Sequence, residues 1–364
     1  MVKTKEELLS ILSHFPLEGK AISAEPFGNG HINDTLKVTT GNGEAKYILQ
    51  RINHHIFTNV DMLQQNIHIV TRHIRRKLEE RGETDIDRKV LTFLSADDNK
   101  LYYFDGENYW RVCLMIPRSK SYEEVTPEKS FEAGLAFGDF QSMLADIPEG
   151  TLGETIPNFH NMEFRLQQFR DAVEADPVGR LAGVKGLVDE IEERAKGMCI
   201  QEMLYREGRL RKRVNHCDTK VNNILFDEAG KVLCVIDLDT VMPGFVLSDI
   251  GDFIRTGANT GAEDDKDLDN VGVNMPIFEA YTEGYMEKAK SFLTSLEISM
   301  LPYGGRLLTY MQTVRFFTDY INGDTYYKIH YPEHNLVRTK AQFKLLLSLE
   351  DHAAEMDNFM EQWL

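Results

Sequence analysis

At 364 residues the chain exceeds the length at which one hydrophobic core stops growing, so two lobes are expected. Hydrophobic residues at 42% and charged residues at 27% suit a globular core under a charged surface and argue against disorder. A net charge of -17 argues against nucleic acid or an anionic membrane as partner, because both demand clustered Lys and Arg.

Leu8, Leu9, Ile11, Leu12 and Phe15 mark one face of a first helix that Pro16 ends, and the charges among them do not fit a signal peptide. Residues 24–52 read as strand, turn, strand, a second turn around Gly41-Asn42-Gly43, and a third strand from Tyr47 to Ile52. The first turn carries Gly28 and Gly30, followed by His31, Asn33 and Asp34. Asn59 then starts an amphipathic helix with Val60, Leu63, Ile67, Val70, Ile74 and Leu78 on one face, closed by Gly82. Its basic run, Arg72, Arg75, Arg76 and Lys77, is most simply a solvated face. Strands over 89–94, 101–104 and 109–116 complete a small sheet that Pro117 ends. This divides a β-rich lobe, residues 1–117, from a helical lobe, residues 118–364.

Beyond it, Phe131–Leu144 reads as a buried helix whose Gly134 and Gly138 imply close helix packing. His160 reads as a structural cap before the next helix, and Asp176-Pro177 breaks the helical stretch from Met162 to Glu207. The acidic run 262–270 lacks the spacing of a calcium loop and is read as solvated. Arg315 and Asp319 stand at i and i+4, where an ion pair is the simplest reading. An Arg among Phe316, Phe317 and Tyr320 is nevertheless expected to be partly buried. Cys113, Cys199, Cys217 and Cys234 form no C-x-x-C pair, so neither zinc nor a disulfide framework is indicated and a cytoplasmic location fits.

The chemistry concentrates between Val214 and Asp239. Asn223–Phe226 and Val232–Ile236 read as a hairpin around Asp227-Glu228-Ala229-Gly230-Lys231, and its closure brings Asn223 near Asp237. With Asp218 five residues before Asn223, oxygen-bearing side chains converge where no apolar packing requires them. An amide and a carboxylate for Mg²⁺, plus a carboxylate to orient a hydroxyl, are the parts of a phosphoryl-transfer site of the kinase type. The bland alternative is that Asp218 and Asn223 cap turns and that Asp237-Leu238-Asp239 is a polar strand end. A Cys217 nucleophile finds no oxyanion device nearby. On the kinase reading, Gly28 and Gly30 belong to a phosphate-covering loop, and His31 and Asn33 could reach a phosphate or a sugar from it. The third strand has no Lys for the α/β-phosphates. Arg51 is expected to serve, with Gln50 the alternative if the strand faces the other way. Met115 and Ile116 form the hinge whose backbone would hold adenine.

The stretches HCDTKVNNILF and VIDLD resemble the phosphotransferase family that includes aminoglycoside phosphotransferases and choline kinases. Further similarity, through GNGHIND, YILQRIN, FHN, DTVMPG, SDIGD and RFFTDYINGDTYYK, runs towards its N-acetylhexosamine 1-kinase branch. The resemblance implies an α+β, protein-kinase-like fold with a small β-rich N-lobe and a larger helical C-lobe. It implies ATP and Mg²⁺ as cofactors, and Asp218, Asn223 and Asp237 as catalytic residues with the latter two on the metal. The acceptor it implies is the anomeric hydroxyl of N-acetylglucosamine or N-acetylgalactosamine, contacted by Asp218, Arg315 and Tyr326. Asp249 and Asp252 of SDIGD would brace the catalytic loop. Alternatives are an aminoglycoside, choline or homoserine kinase of the same fold, or a nucleotide-binding pseudokinase. Two tryptophans, Trp110 and Trp363, supply poorly the aromatic box a choline-like cation wants. A monomer is compatible with this reading.

Overall fold

A computed structural model describes residues 3–28, 32–41, 43 and 45–364. It resolves into two compact units. The first holds Met1–Ser121, Asp146–Pro157 and Asn223–Met242; the second holds Tyr122–Ala145, Asn158–Asn222 and Pro243–Leu364. The sequence-based boundary at 117 falls shortly before the chain first leaves unit 1, to which two later segments return.

Unit 1 is built on an antiparallel sheet of β1 (Ala21–Pro26), β2 (Asp34–Thr40), β3 (Ala45–Ile52), β4 (Phe93–Leu94), β5 (Tyr103–Phe104) and β6 (Tyr109–Leu114). The order is β1-β2-β3-β6-β4, with β5 also paired to β6. Strand alternation separates two faces. Val38, Tyr47, Leu49, Trp110 and Val112 share one, buried against Leu8, Ile11 and Leu12 of the first helix. That helix, Lys5–Leu12, starts at a capping box in which Thr4 and Glu7 satisfy each other's backbone N–H. Each large apolar side chain removed from water here contributes about 1.5–3 kcal/mol. On the other face, Gln50 lies opposite Arg111 in the β3–β6 register. β4 and β5 are shorter than the sequence suggested. Ala96 N–H closes a turn onto the Lys100 carbonyl at 2.8 Å, with Asn99 at φ +62°, so few residues remain to pair with β6.

The helix Val60–Glu80 buries the six apolar residues expected of it, and Gln64, Asn66 and Thr71 besides. Buried polar groups need partners. The Asn66 amide donates to the carbonyls of Gly153 (2.8 Å) and Val241 (3.2 Å) and accepts from Gly153 N–H (3.1 Å). Asp146 accepts from His73 at 2.7 Å and Lys77 at 2.5 Å. These bonds explain why 146–157 and 223–242 belong with unit 1 although the chain leaves it in between.

Unit 2 is helical around Leu301–Ile321, whose Leu307, Val314 and Phe317 pack with Leu166, Phe169 and Leu346. Gly134 serves packing, as expected, since a Cβ there would lie 2.1 Å from the Tyr281 carbonyl of the helix Met275–Ala289. Gly251 does the same for the helix Val246–Gly257, where a Cβ would lie 2.3 Å from the Gly304 carbonyl. That close approach seats Asp249 and Asp252 in the interior. Among the described residues no helix is long and apolar enough to cross a membrane.

Candidate active site

In unit 1 the hairpin pairs Ile224 with Val235 and Leu225 with Cys234. Its turn is shaped by Asp227, whose carboxylate accepts from Ala229 N–H (2.8 Å) and Lys231 N–H (2.9 Å), and by Gly230 at φ +83°. At the open end the Asn223 carbonyl accepts from Ile236 N–H at 2.9 Å, so Asn223 and Asp237 end adjacent chains. Asp237 adopts φ +59°, a left-handed conformation rare for a residue with a side chain. A single helical turn, Leu238–Thr240, follows. The strand-end aspartates therefore meet different fates. Asp237 is exposed, while Asp239, 3% exposed, is fully engaged.

Arg111 donates to both oxygens of Asp239, at 2.5 and 2.9 Å, and its Nε donates to the Gln50 side-chain carbonyl at 2.9 Å. The Asn33 amide donates to Asp239 as well, and its oxygen accepts from Asn53 N–H at 2.9 Å. Burial works against the Arg111 charge, but Asp239 beside it raises the guanidinium pKa above its ordinary value. Sequence reasoning missed this assembly. Its signal was Arg111 as the lone charge inside the apolar run WRVCLMI, since a charge buried in a strand requires a counter-charge.

Arg51 is elsewhere. It pairs with Asp34 at 2.7 Å and bonds Asn108 at 3.4 Å, opposite Trp110 in register and on the face that carries the first helix. Strand alternation places Arg51, the residue expected to contact phosphate, on the face away from Asp239, which Gln50 and Arg111 meet. Gly28 has φ +75° with open space around it, as a backbone-lined turn requires, whereas Gly30 and His31 lie outside the described residues. At the expected hinge, Met115 N–H donates to the Lys46 carbonyl at 2.9 Å and the Ile116 carbonyl accepts from Ser119 at 2.8 Å.

In unit 2, buried carboxylates fix the loop carrying Asp218. Asp249 accepts from His216 N–H (2.8 Å), Cys217 N–H (2.7 Å) and the Gln141 amide (2.7 Å). Asp252 accepts from Thr219 N–H (3.0 Å) and Arg255 (2.9 Å). Cys217, at φ +65° and 5% exposed, is a bend in this loop and not a presented nucleophile. Asp218 pairs with Lys220 at 2.9 Å. Burial works against the Lys220 charge, but Asp218 and Asp252 raise its pKa.

A second cluster in unit 2 joins Arg165, Arg315 and His160. Arg315 lies over the rings of Phe159 (5.3 Å) and Tyr327 (5.6 Å) and donates to Gln312 at 3.1 Å. Arg165 donates to the Phe159 carbonyl at 3.0 Å and Gln168 at 2.9 Å. Neither makes an ion pair among the described residues. Burial, then the neighbouring Arg315, lowers the Arg165 pKa to about 10. Burial and the same two arginines push His160 down to about 3, so its imidazole is neutral. The expected Arg315–Asp319 pair does not form. Asp319 instead accepts the N–H groups of Thr325 (2.9 Å), Tyr326 (2.7 Å) and Tyr327 (2.9 Å), and the Asn335 amide at 2.8 Å. That turn leaves the Tyr326 side chain 63% exposed.

A small antiparallel sheet in one unit and a helical second unit make this a protein-kinase-like fold, as expected from the sequence, with 50% helix and 13% strand. The chain belongs to the phosphotransferase enzyme family, whose sequence pattern matches residues 23–279. It is similar to the crystal structure of an aminoglycoside phosphotransferase from Alicyclobacillus acidocaldarius subsp. acidocaldarius DSM 446, with TM-score 0.63 and 13% identity, covering 97% of this chain and 96% of that one. Spectinomycin phosphotransferase in complex with ADP and spectinomycin superposes with TM-score 0.60 at 12% identity, over 96% of this chain and 99% of that one. An ethanolamine kinase from Plasmodium vivax gives 0.53 at 15% identity, over 88% and 82%.

Proposed function

We propose that this phosphotransferase transfers the γ-phosphoryl group of ATP to the anomeric hydroxyl of an N-acetylhexosamine, N-acetylglucosamine or N-acetylgalactosamine, with Mg²⁺. Asp218 orients the acceptor hydroxyl and takes its proton. Asn223 and Asp237 hold the metal. Among the described residues no group of three His, Cys, Asp or Glu gathers for a cation. That suits Mg²⁺, which is held by one or two protein oxygens together with substrate phosphates and water. When bound, it would neutralise the phosphate charge. Arg111 and Asn33 keep Asp239 out of that role by engaging it. The turn at Gly28 covers the phosphates, a role that Gly30 and His31 share on the sequence alone, and Met115 and Ile116 hold adenine. The ADP-bound relative supports an adenine nucleotide.

The acceptor choice is carried by the Arg165–Arg315 pair. Two guanidinium groups without carboxylate partners repel a polycationic aminoglycoside, and choline or ethanolamine, whereas they can donate directional hydrogen bonds to a neutral sugar. Arg315 and Tyr326 are assigned to the sugar on this basis, and the protein acts in the cytoplasm, where its four free cysteines fit. The test is coupled ADP release across N-acetylhexosamines, hexoses, choline, homoserine and kanamycin. Turnover is expected with both N-acetylhexosamines, much less with glucose or galactose, and none with a 1-O-methyl glycoside. Efficient turnover of kanamycin or choline without sugar activity would sink the sugar assignment and leave the phosphotransferase standing.

A further inference from the structure

In the basic run of the helix Val60–Glu80, Arg72 and Arg76 are exposed and Arg75 and Lys77 are half-buried. Arg75 pairs with Asp87 (2.9 Å), Arg76 with Glu80 (2.8 Å) and Lys77 with Asp146 (2.5 Å). Arg72 is exposed to solvent and has no carboxylate partner among the described residues. It lines a cavity of about 130 Å³, wholly within unit 1, between this helix and residues 91–93. That is close to the size of an engineered cavity of about 150 Å³ that holds benzene.

The lining carries two guanidinium groups, two hydroxyls, an imidazole and an amide. Arg75 also donates to the Thr92 hydroxyl at 2.9 Å, and the Thr71 hydroxyl donates to the Ile67 carbonyl at 2.8 Å. Gln64 is 2% exposed, yet its side-chain N–H₂ has no acceptor. A buried donor left unpaired weakens the fold unless something external satisfies it. Burial and Arg72 both lower the His68 pKa, which favours the neutral ring. No carboxylate lines the cavity, and Ile67, Leu91 and Phe93 supply apolar wall. In a protein of net charge -17, a cavity lined by Arg72 and Arg75 and by no carboxylate runs against the prevailing field.

We propose that this cavity binds a small organic oxyanion, a carboxylate or phosphate monoester on an apolar body of about one ring. The anion takes hydrogen bonds from Arg72 and Gln64, and the ring lies against Ile67 and Phe93. This site uses none of the residues assigned above to nucleotide, metal or acceptor, so it stands apart from the proposed reaction.

Isothermal calorimetry on the full chain, with benzoate, phenyl phosphate and neutral benzyl alcohol as probes, tests it. At least one anion is expected to bind in the millimolar range or tighter, which of the two distinguishing carboxylate from phosphate, while benzyl alcohol does not. Arg72→Gln should weaken that binding about tenfold or more, as expected for a lost charged hydrogen bond, without changing basal turnover. Gln64→Leu should weaken it too and leave the melting temperature equal or higher. Silence from both anions, equal binding of benzyl alcohol, or unchanged affinity in Arg72→Gln would overturn the proposal.

Discussion

Asp239→Ala is expected to destabilise unit 1 through the charge it leaves behind. The substitution removes the acceptor of two Arg111 bonds, at 2.5 and 2.9 Å, and of the Asn33 amide. Arg111 is 2% exposed and keeps Gln50 as its remaining partner. Removing one member of a buried ion pair costs about 3–5 kcal/mol, because the other is left charged and unsolvated. For a unit of roughly 150 residues, at about 2–4 °C per kcal/mol, the melting temperature should fall by about 6–20 °C. Arg111→Met should cost a similar amount by orphaning Asp239. The double variant Arg111→Met/Asp239→Leu should recover most of the loss, since apolar replacement of a buried pair is often neutral or better. Thermal unfolding of the four proteins gives the double-mutant cycle. Single variants that melt within about 3 °C of the parent, roughly 1 kcal/mol, would refute the reasoning, as would a double variant whose loss is the sum of the singles.

Asp218→Asn should lower kcat by about 10²–10⁴ with nucleotide affinity unchanged, as for loss of a positioned base; near-normal single-turnover rates would remove Asp218 from the mechanism. Gln50→Ala should raise the KM for ATP and lower the melting temperature, because it unpairs Arg111 Nε, whereas Arg51→Ala on the far face of β3 should change KM little. A large KM effect from Arg51→Ala would return the phosphate role to that residue. Arg315→Ala should weaken sugar by about tenfold or more and ATP little, measured as separate KM values. Asp319→Ala should reproduce that split by releasing the 325–327 turn, and equal effects on both substrates would show that the turn does not serve the acceptor.

The parts legible in the sequence were those written in local pattern. The hairpin at 224–235, the helix from Val60 and the packing role of Gly134 follow from short-range alternation, helical period and chain turns. The Asp249 and Asp252 braces were legible through the spacing of SDIGD. What stayed hidden depended on strand facing and on long-range pairing. The spacing of β3 alone does not say whether Gln50 or Arg51 turns towards the hairpin; the register with β6 decides it, and Gln50 and Arg111 in that pairing are 61 positions apart. Arg111–Asp239 joins residues 128 positions apart. Arg315 and Asp319 illustrate the converse, because an i, i+4 spacing offers an ion pair only where no better partner competes. Three backbone N–H groups and an amide outcompete it at Asp319.

The loop carrying Asp218 should respond to pH through Asp249. Burial pushes the Asp249 carboxyl up to about 6, against the opposing pull of His216 and of the His216, Cys217 and Gln141 N–H donors. Those three donors surround both oxygens, so protonation inserts a hydrogen where only hydrogens point. Below pH 6 the carboxyl loses part of its hold on His216 and Cys217, and kcat should fall as Asp218 loses its fixed position. Stability runs the other way. A carboxyl whose folded pKa lies above its ordinary 3.8 binds protons better when folded, so its contribution declines as pH rises from about 4 to 6. The whole change is about 3 kcal/mol, at 1.36 kcal/mol per unit. Asp249→Asn cannot ionise: its kcat should be low and level between pH 5 and 7, and its melting temperature should lack the parent's decline from pH 4 to 6. A level parent kcat profile across pH 5–7, or an Asp249→Asn profile that keeps the acid limb, would assign that titration to another group and leave Asp249 a purely structural brace.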